Sequence, residues 1–393
     1  MGARRTRSGK VSRMRDPAEE LANIRAGGLL RTLRPADPSR VCFASNDYLG
    51  LSRHPEVCRA LTDGVARFGA GAGSSRLIEG TTAPHLALEQ ELASAKGCDA
   101  SLLFSSGHAT ALGVIPSVVG KGDFIVLDRL SHACLVDAAR LSGASLKVYA
   151  HNDPDALARV LRGIRARHAS ARVLVATESV FSMDGDLCPL RETVETVETH
   201  GALLLLDEAH GFGVMGPTGM GLAEREGLQH RIAFQMGTLS KAAGLSGGYI
   251  AASRDWIPLF VNRARSFIYS TAPPPALAHA ASASLRVIRS AEGTRLRTLL
   301  GARIARFPSA QSPVIPVLLG SNEAALNASE ILGSEGFSVP AIRFPTVPKG
   351  SARLRVSLSA AHSEREVEDL AATLARIAPE AAAAVMRATR PQA

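Results

Sequence analysis

The chain has 393 residues, 46% of them hydrophobic and 4% aromatic, with a formal net charge of +9. That length is enough for a substantial core and two domains, and no apolar run approaches the roughly 18 residues that would span a bilayer. Five cysteines, at 42, 58, 98, 134 and 188, are odd in number and contain no C-x-x-C pair, which argues against a disulfide framework or a metal site and for a reducing cytoplasm.

The positive charge is concentrated at the start. Six basic residues precede the first acid, Asp16, in MGARRTRSGKVSRMR, so residues 1–15 are expected to be a disordered basic tail. A basic nucleic-acid-binding protein is the remote alternative. It is disfavoured because the rest of the chain is only mildly basic and offers few aromatic rings for base stacking.

Residues 16–50 form an N-terminal segment. Asp16-Pro17 opens a helix, Pro35 and Pro38 break the chain, and SNDYLGL (45–51) is a polar turn able to present Asn46 to a ligand. A helix through PEVCRALTDGVARFG leads to GAGAGSSRLIEGT (69–81). Its G-x-G spacing is not a dinucleotide fingerprint, because Arg76 stands where the third glycine belongs and a helix precedes it. A mobile loop near a ligand is the expectation.

Next, ASLLFSSGHATALGV reads as a strand, a turn and a helix start. Amides at such a helix N-terminus bind anions, which makes Gly107 and His108 the candidate phosphate contacts. DFIVLD ends a strand at Asp128 with His132 shortly after; VLVATE ends one at Glu178, before the pocket-rim turn Ser182–Asp186. LLLLD ends one at Asp207, with His210 three residues on, and a further apolar segment ends in GTLSK, at Lys241. Strand–helix alternation from about 100 to 250, closed by GGYIAAS, predicts a mostly parallel sheet covered by helices, with ligands at the strand C-termini. IYSTAPPP marks a domain junction. Beyond it, strands SPVIPVLLG and SARLRVSLS alternate with helices, and period two places Arg353 and Arg355 on one face. An arginine there is either a solvated surface charge or, beside an amine-activating site, a clamp for a substrate carboxylate.

A carboxylate, an imidazole and an amine at neighbouring strand ends suit pyridoxal phosphate chemistry. The amine forms a Schiff base with the aldehyde, and the carboxylate keeps the pyridine nitrogen protonated. The chain has only six lysines, at 10, 96, 121, 147, 241 and 349, so a lysine in the setting Ser240-Lys241-Ala242-Ala243-Gly244 is an improbable piece of surface decoration.

The motifs SNDYLGL, GSSRLIEGT, DRLSHA, ESVFSMDGD, DEAHGFGV, GTLSKA, IYST and AIRFPTVPKGSARLR, in this order from about Asn46 to the C-terminal helix, resemble the α-oxoamine synthase family of fold-type I pyridoxal-phosphate enzymes. The resemblance implies an α/β fold, with a large domain (51–280) built on a mostly parallel seven-stranded sheet and a smaller α+β C-terminal domain (281–393). It implies a cytoplasmic homodimer. Lys241 would be the Schiff-base lysine, Asp207 the partner of the pyridine nitrogen, and His210 the partner of the phenolic oxygen. His132 would stack on the ring and take part in proton transfer, with Glu178 and Ser182 lining the ring pocket. Thr238, Ser240 and the Gly107–His108 amides would hold the phosphate, with Thr271 reaching in from the partner subunit. Arg355 matches the amino-acid carboxylate clamp, with Arg353 as its neighbour, and Arg31, Asn46 and Thr346 match substrate contacts.

Within the family, the motifs most resemble the branch serving biotin synthesis. This implies decarboxylative condensation of L-alanine with a pimeloyl thioester, carried on coenzyme A or acyl-carrier protein. Condensation of glycine with acetyl-CoA is the alternative. Two departures stand out: His108 where relatives carry an aromatic ring, and Phe344 where proline is commoner.

Overall fold

In the computed structural model, which describes residues 16–33 and 35–387, the apolar runs of the middle third form one seven-stranded sheet. Its strands are β1 (Ala100–Phe104), β2 (Phe124–Asp128), β3 (Ser145–Tyr149), β4 (Val173–Glu178), β5 (Leu203–Asp207), β6 (Phe234–Thr238) and β7 (Gly248–Ala252). The spatial order is β1-β7-β6-β5-β4-β2-β3, with β7 alone antiparallel to its neighbours. β2, β4, β6 and β7 are buried along their whole length. That is why they read as unbroken apolar runs: a parallel sheet with helices on both faces hides both sides of each strand. The edge strand β3 escapes sequence reading because most of its residues are exposed.

The register sets the chemistry. Glu178 pairs with Asp207 across β4 and β5, Asp207 with Met236 across β5 and β6, and Thr238 with Gly248 across β6 and β7. The C-terminal ends of β4, β5 and β6, with the N-terminal end of antiparallel β7, therefore form one rim.

The last third builds a three-stranded antiparallel sheet in which Ala352–Ser357 lies between Ala341–Ile342 and Val314–Gly320. Helix Asn322–Ser334 packs against it, and helix Glu364–Ile377 follows, opened by a Ser363/Glu366 capping box. Val41–Cys42 pairs with Phe337–Ser338, and Phe43, Tyr48 and Leu51 share a buried cluster with Val314, Leu354 and Val356. The division expected between residues 280 and 281 falls inside the continuous helix Pro275–Arg289. That helix lies along helix Pro55–Phe68, where a Cβ on Gly64 would stand 2.9 Å from Ala276 Cα; only glycine allows that approach. The expected basic tail, residues 1–15, lies outside the described residues. Among those described, no helix is long and apolar enough to cross a membrane.

The Gly-rich loop is tethered at Arg76. Its guanidinium makes a two-pronged pair with buried Glu89, Nη1 to Oε1 at 2.8 Å and Nη2 to Oε2 at 3.0 Å. Glu89 also accepts from the Leu103 amide at 2.9 Å, so one carboxylate joins the loop to β1. Replacing Arg76 by alanine leaves that carboxylate buried without its counter-charge. A loss of about 3–5 kcal/mol is expected, read as a lower urea midpoint. An unchanged midpoint would show that the pair contributes nothing.

Candidate active site

Three strand ends and one helix start enclose a cavity of about 240 Å³ lined by Gly107, His108, His132, Glu178, Asp207, His210, Thr238, Ser240 and Lys241. Each arrives there for a local reason. Ser106 caps helix Gly107–Val118 by accepting the Ala109 amide at 3.0 Å, which leaves the first amides of the helix facing the cavity. The Thr238 hydroxyl donates to the Gly247 carbonyl at 2.8 Å and lies 2.7 Å from the Ser240 hydroxyl, fixing the turn that delivers Lys241.

Asp207 and Glu178 are neighbours on adjacent strands, and both are buried. Burial, partly countered by Lys241, pushes Asp207 up to about 6. Burial and the nearby Asp207 push Glu178 up to about 8. Glu178 accepts the His132 amide at 2.6 Å, so it sets the position of that histidine. Lys241 is pulled below its ordinary pKa by burial, against the attraction of Asp207 and Glu178, and so carries more neutral amine than an exposed lysine. Burial, then Lys241, Arg355 and His132, hold His210 well below its ordinary value, and burial, Lys241 and His108 lower His132.

A second cavity, of about 580 Å³, shares His132 with the first and is lined also by Arg31, Ser182, Phe344 and Thr346. Arg31 Nη2 donates to the Thr346 hydroxyl at 3.1 Å, so these two expected substrate contacts, 315 positions apart, meet in the wall of this cavity. Ser182 borders this outer space and not the inner one.

Arg355 and Arg353 share a face, as period two predicts, but divide the work. Arg353 Nη1 is paired with Asp184 at 2.6 Å. Arg355 donates from Nε to the Ser182 carbonyl at 2.6 Å and from Nη1 to Asn46 Oδ1 at 3.1 Å and Ser357 Oγ at 2.8 Å. The Nη2 of neither arginine takes part in these bonds.

The turn holding Ser182 is anchored by a residue the sequence reading passed over. His151 bridges Asp128 (Nδ1 to Oδ1, 2.9 Å) and Asp186 (Nε2 to Oδ2, 2.8 Å). Burial opposes its charge, but the two carboxylates prevail and raise it to about 10. Gly185 in that turn has φ of +72°, and a Cβ there would lie 2.0 Å from the Val314 carbonyl oxygen. Also unforeseen is Cys134 in the cavity wall, with its sulfur 3.0 Å from His132 Nδ1; nothing in its sequence context marks it. Thr271 is not brought to the cavity. It pairs with Ser75 and borders a separate recess beside Arg76 and Phe104.

The donor set fits pyridoxal phosphate. The helix amides and two hydroxyls suit a phosphate, the amine of Lys241 suits an aldehyde, and Asp207 suits a pyridinium. Asp207 Oδ1 accepts the Ala209 amide at 2.9 Å, while neither Oδ2 nor the Lys241 amine has a hydrogen-bond partner among the described residues.

The family model for class I and II aminotransferases matches residues 39–374. The chain is similar to the curated 8-amino-7-oxononanoate synthase of Geobacter sulfurreducens, at 44% identity over 389 residues, 93% of this chain and 98% of that protein. Among solved structures it resembles a serine palmitoyltransferase of S. paucimobilis with bound PLP (TM-score 0.85, 26% identity, 93% and 97% of the two chains). It also resembles the 8-amino-7-oxononanoate synthase of Francisella tularensis (TM-score 0.72, 25% identity, 88% and 98% of the two chains).

Proposed function

The chain belongs to the class I and II aminotransferase family, in its α-oxoamine synthase branch, and on that premise we propose that it makes 8-amino-7-oxononanoate for biotin biosynthesis. The reaction is a decarboxylative condensation of L-alanine with a pimeloyl thioester by a cytoplasmic, PLP-dependent acyltransferase. A carbon–carbon bond forms between the alanine α-carbon and the acyl carbon, the thioester C–S bond breaks to release the thiol carrier, and the alanine carboxylate leaves as CO2.

Bound pyridoxal phosphate supplies an aldehyde that captures amines and a cationic ring that withdraws electrons from the α-carbon. The protein supplies the rest. Lys241, part neutral through burial, would hold the aldehyde and take up the α-proton of the amino acid. Asp207 would face the ring nitrogen and favour its protonated form. His132, whose amide donates to the Glu178 carboxylate, would line the face of the ring. Arg355, bonded to Asn46 through Nη1, binds the alanine carboxylate through Nη2, whereas Arg353 is already charge-paired with Asp184. Asn46, bonded to Arg355, turns the clamp toward substrate. The 580 Å³ space bounded by Arg31 and Thr346 takes the acyl chain.

The protein works as a homodimer in which Thr271 of the partner subunit reaches the phosphate. Supporting this, Thr271 sits away from its own chain's cavity, beside Tyr269, which is 72% exposed.

The observation that carries the reading is the second cavity, larger than an acetyl group needs, opening on the histidine that lines the first. Mass spectrometry of the product tests it. Incubation with alanine and a pimeloyl thioester, on coenzyme A or acyl-carrier protein, should give the mass of 8-amino-7-oxononanoate. Turnover confined to glycine with acetyl-CoA would replace this reading with that of a glycine acyltransferase.

A further inference from the structure

One contact in the wall of the inner cavity is used by no step above: the Tyr48 hydroxyl lies 2.6 Å from His210 Nδ1. Tyr48 is fully buried in the SNDYLGL turn, 162 positions away from the histidine. A neutral imidazole carries one proton, so whatever occupies Nδ1 decides what Nε2 offers to the cavity. His210 is neutral here, held so by burial and by the cations Lys241 and Arg355. The Tyr48 hydroxyl keeps its own proton, since burial raises it to about 12 against the pull of Arg355.

Two proton arrangements satisfy the contact. The hydroxyl donates to Nδ1, or it accepts from Nδ1–H and donates instead to Asn46 Oδ1, 3.2 Å away. The second uses the longer distance, and Asn46 Oδ1 already accepts from Arg355 Nη1 at 3.1 Å. We infer that Tyr48 is a positioning residue that holds His210 as the Nε2–H tautomer, so that its ring presents a hydrogen-bond donor to the cavity. A donor is what a phenolate oxygen on the cofactor ring requires. That purpose rests on the reading proposed above, whereas the tautomer is a property of the chain alone.

The test is nitrogen NMR of 15N-histidine-labelled apoprotein near pH 8, with His210 assigned by the signal lost in His210→Asn. The expected result is a pyrrole-type Nε2 and a pyridine-type Nδ1 in the wild type. In Tyr48→Phe, the Nδ1 signal should move toward the tautomer average while the other histidines stay in place. Asn46→Ala, which retains the hydroxyl, should leave the His210 tautomer unchanged. Titration with pyridoxal phosphate should show roughly tenfold weaker binding by Tyr48→Phe, the worth of one hydrogen bond to a charged group. A proton on Nδ1 in the wild type overturns the inference even if Tyr48→Phe does not fold. So does a tautomer that is unmoved in Tyr48→Phe, or one that switches in Asn46→Ala. If the tautomer is as expected but pyridoxal phosphate does not bind, the functional reading fails and the inference about Tyr48 stands.

Discussion

Replacing Lys241 by alanine removes the visible absorbance of covalently held pyridoxal phosphate and lowers turnover by at least about 10²–10⁴-fold, the share that one positioned proton acceptor contributes. Further loss comes with the covalent anchor. The side chain is half-buried and its pKa is held down, and among the lining residues of the cavity it is the only lysine, so no other amine takes its place. Lys241→Arg should not rescue, because a guanidinium stays protonated and cannot form the Schiff base. Because the variant keeps the phosphate-binding amides and hydroxyls, it should still bind the cofactor reversibly, and equilibrium dialysis checks this. Retention of a visible band and near-normal turnover in Lys241→Ala would dismiss the proposed function.

Replacing Asp207 by asparagine keeps the side chain's shape and removes its charge. Loss of one partner of a buried ion pair costs about 3–5 kcal/mol, and if all of it falls on the transition state, turnover drops by roughly two to four decades. Single-turnover kinetics with saturating cofactor reads this directly; a drop of less than tenfold would show that the ring nitrogen needs no anion here.

The same variant carries a pH signature in the absence of cofactor. Asp207 is raised from its ordinary 3.8 to about 6 in the folded chain, so between those values the folded state binds more protons than the unfolded one. Stability from this group therefore falls as pH rises. At pH 4 the wild-type side chain is largely neutral and resembles asparagine; at pH 8 it is a buried anion. The melting temperature of Asp207→Asn apoprotein, relative to wild type, should accordingly be higher at pH 8 than at pH 4. The opposite trend would mean that the folded chain stabilises the carboxylate without a ligand. Comparing the two proteins also cancels the buried histidines, whose lowered values push stability the other way.

Much of the site was legible because strand ends advertise themselves. A short apolar run closed by a polar residue reports a strand buried on both faces with its last side chain at a crevice, which is how Asp207, Glu178 and the Lys241 turn could be placed before any coordinates. The glycine at the turn after β1 marked, in the same way, the helix start that borders the cavity. β3 failed this test because an edge strand is half solvated and carries no such run. The Gly-rich loop was expected to be mobile because glycine composition reports conformational freedom; it says nothing of the Arg76–Glu89 pair that restrains it.

The chain's own order of residues thus determined the strand ends, the helix starts and the type of chemistry, since each depends on neighbours a few positions apart. Tertiary structure alone decided that Tyr48 meets His210, that His151 ties Asp128 to the Ser182 turn, and that Arg353 pairs with Asp184 while Arg355 bonds Asn46 and the Ser182 carbonyl. Those choices follow from the spatial order of the sheet and from the packing of the last third of the chain against the SNDYLGL turn. Contacts across 23 to 309 positions leave no local periodicity from which they could be read.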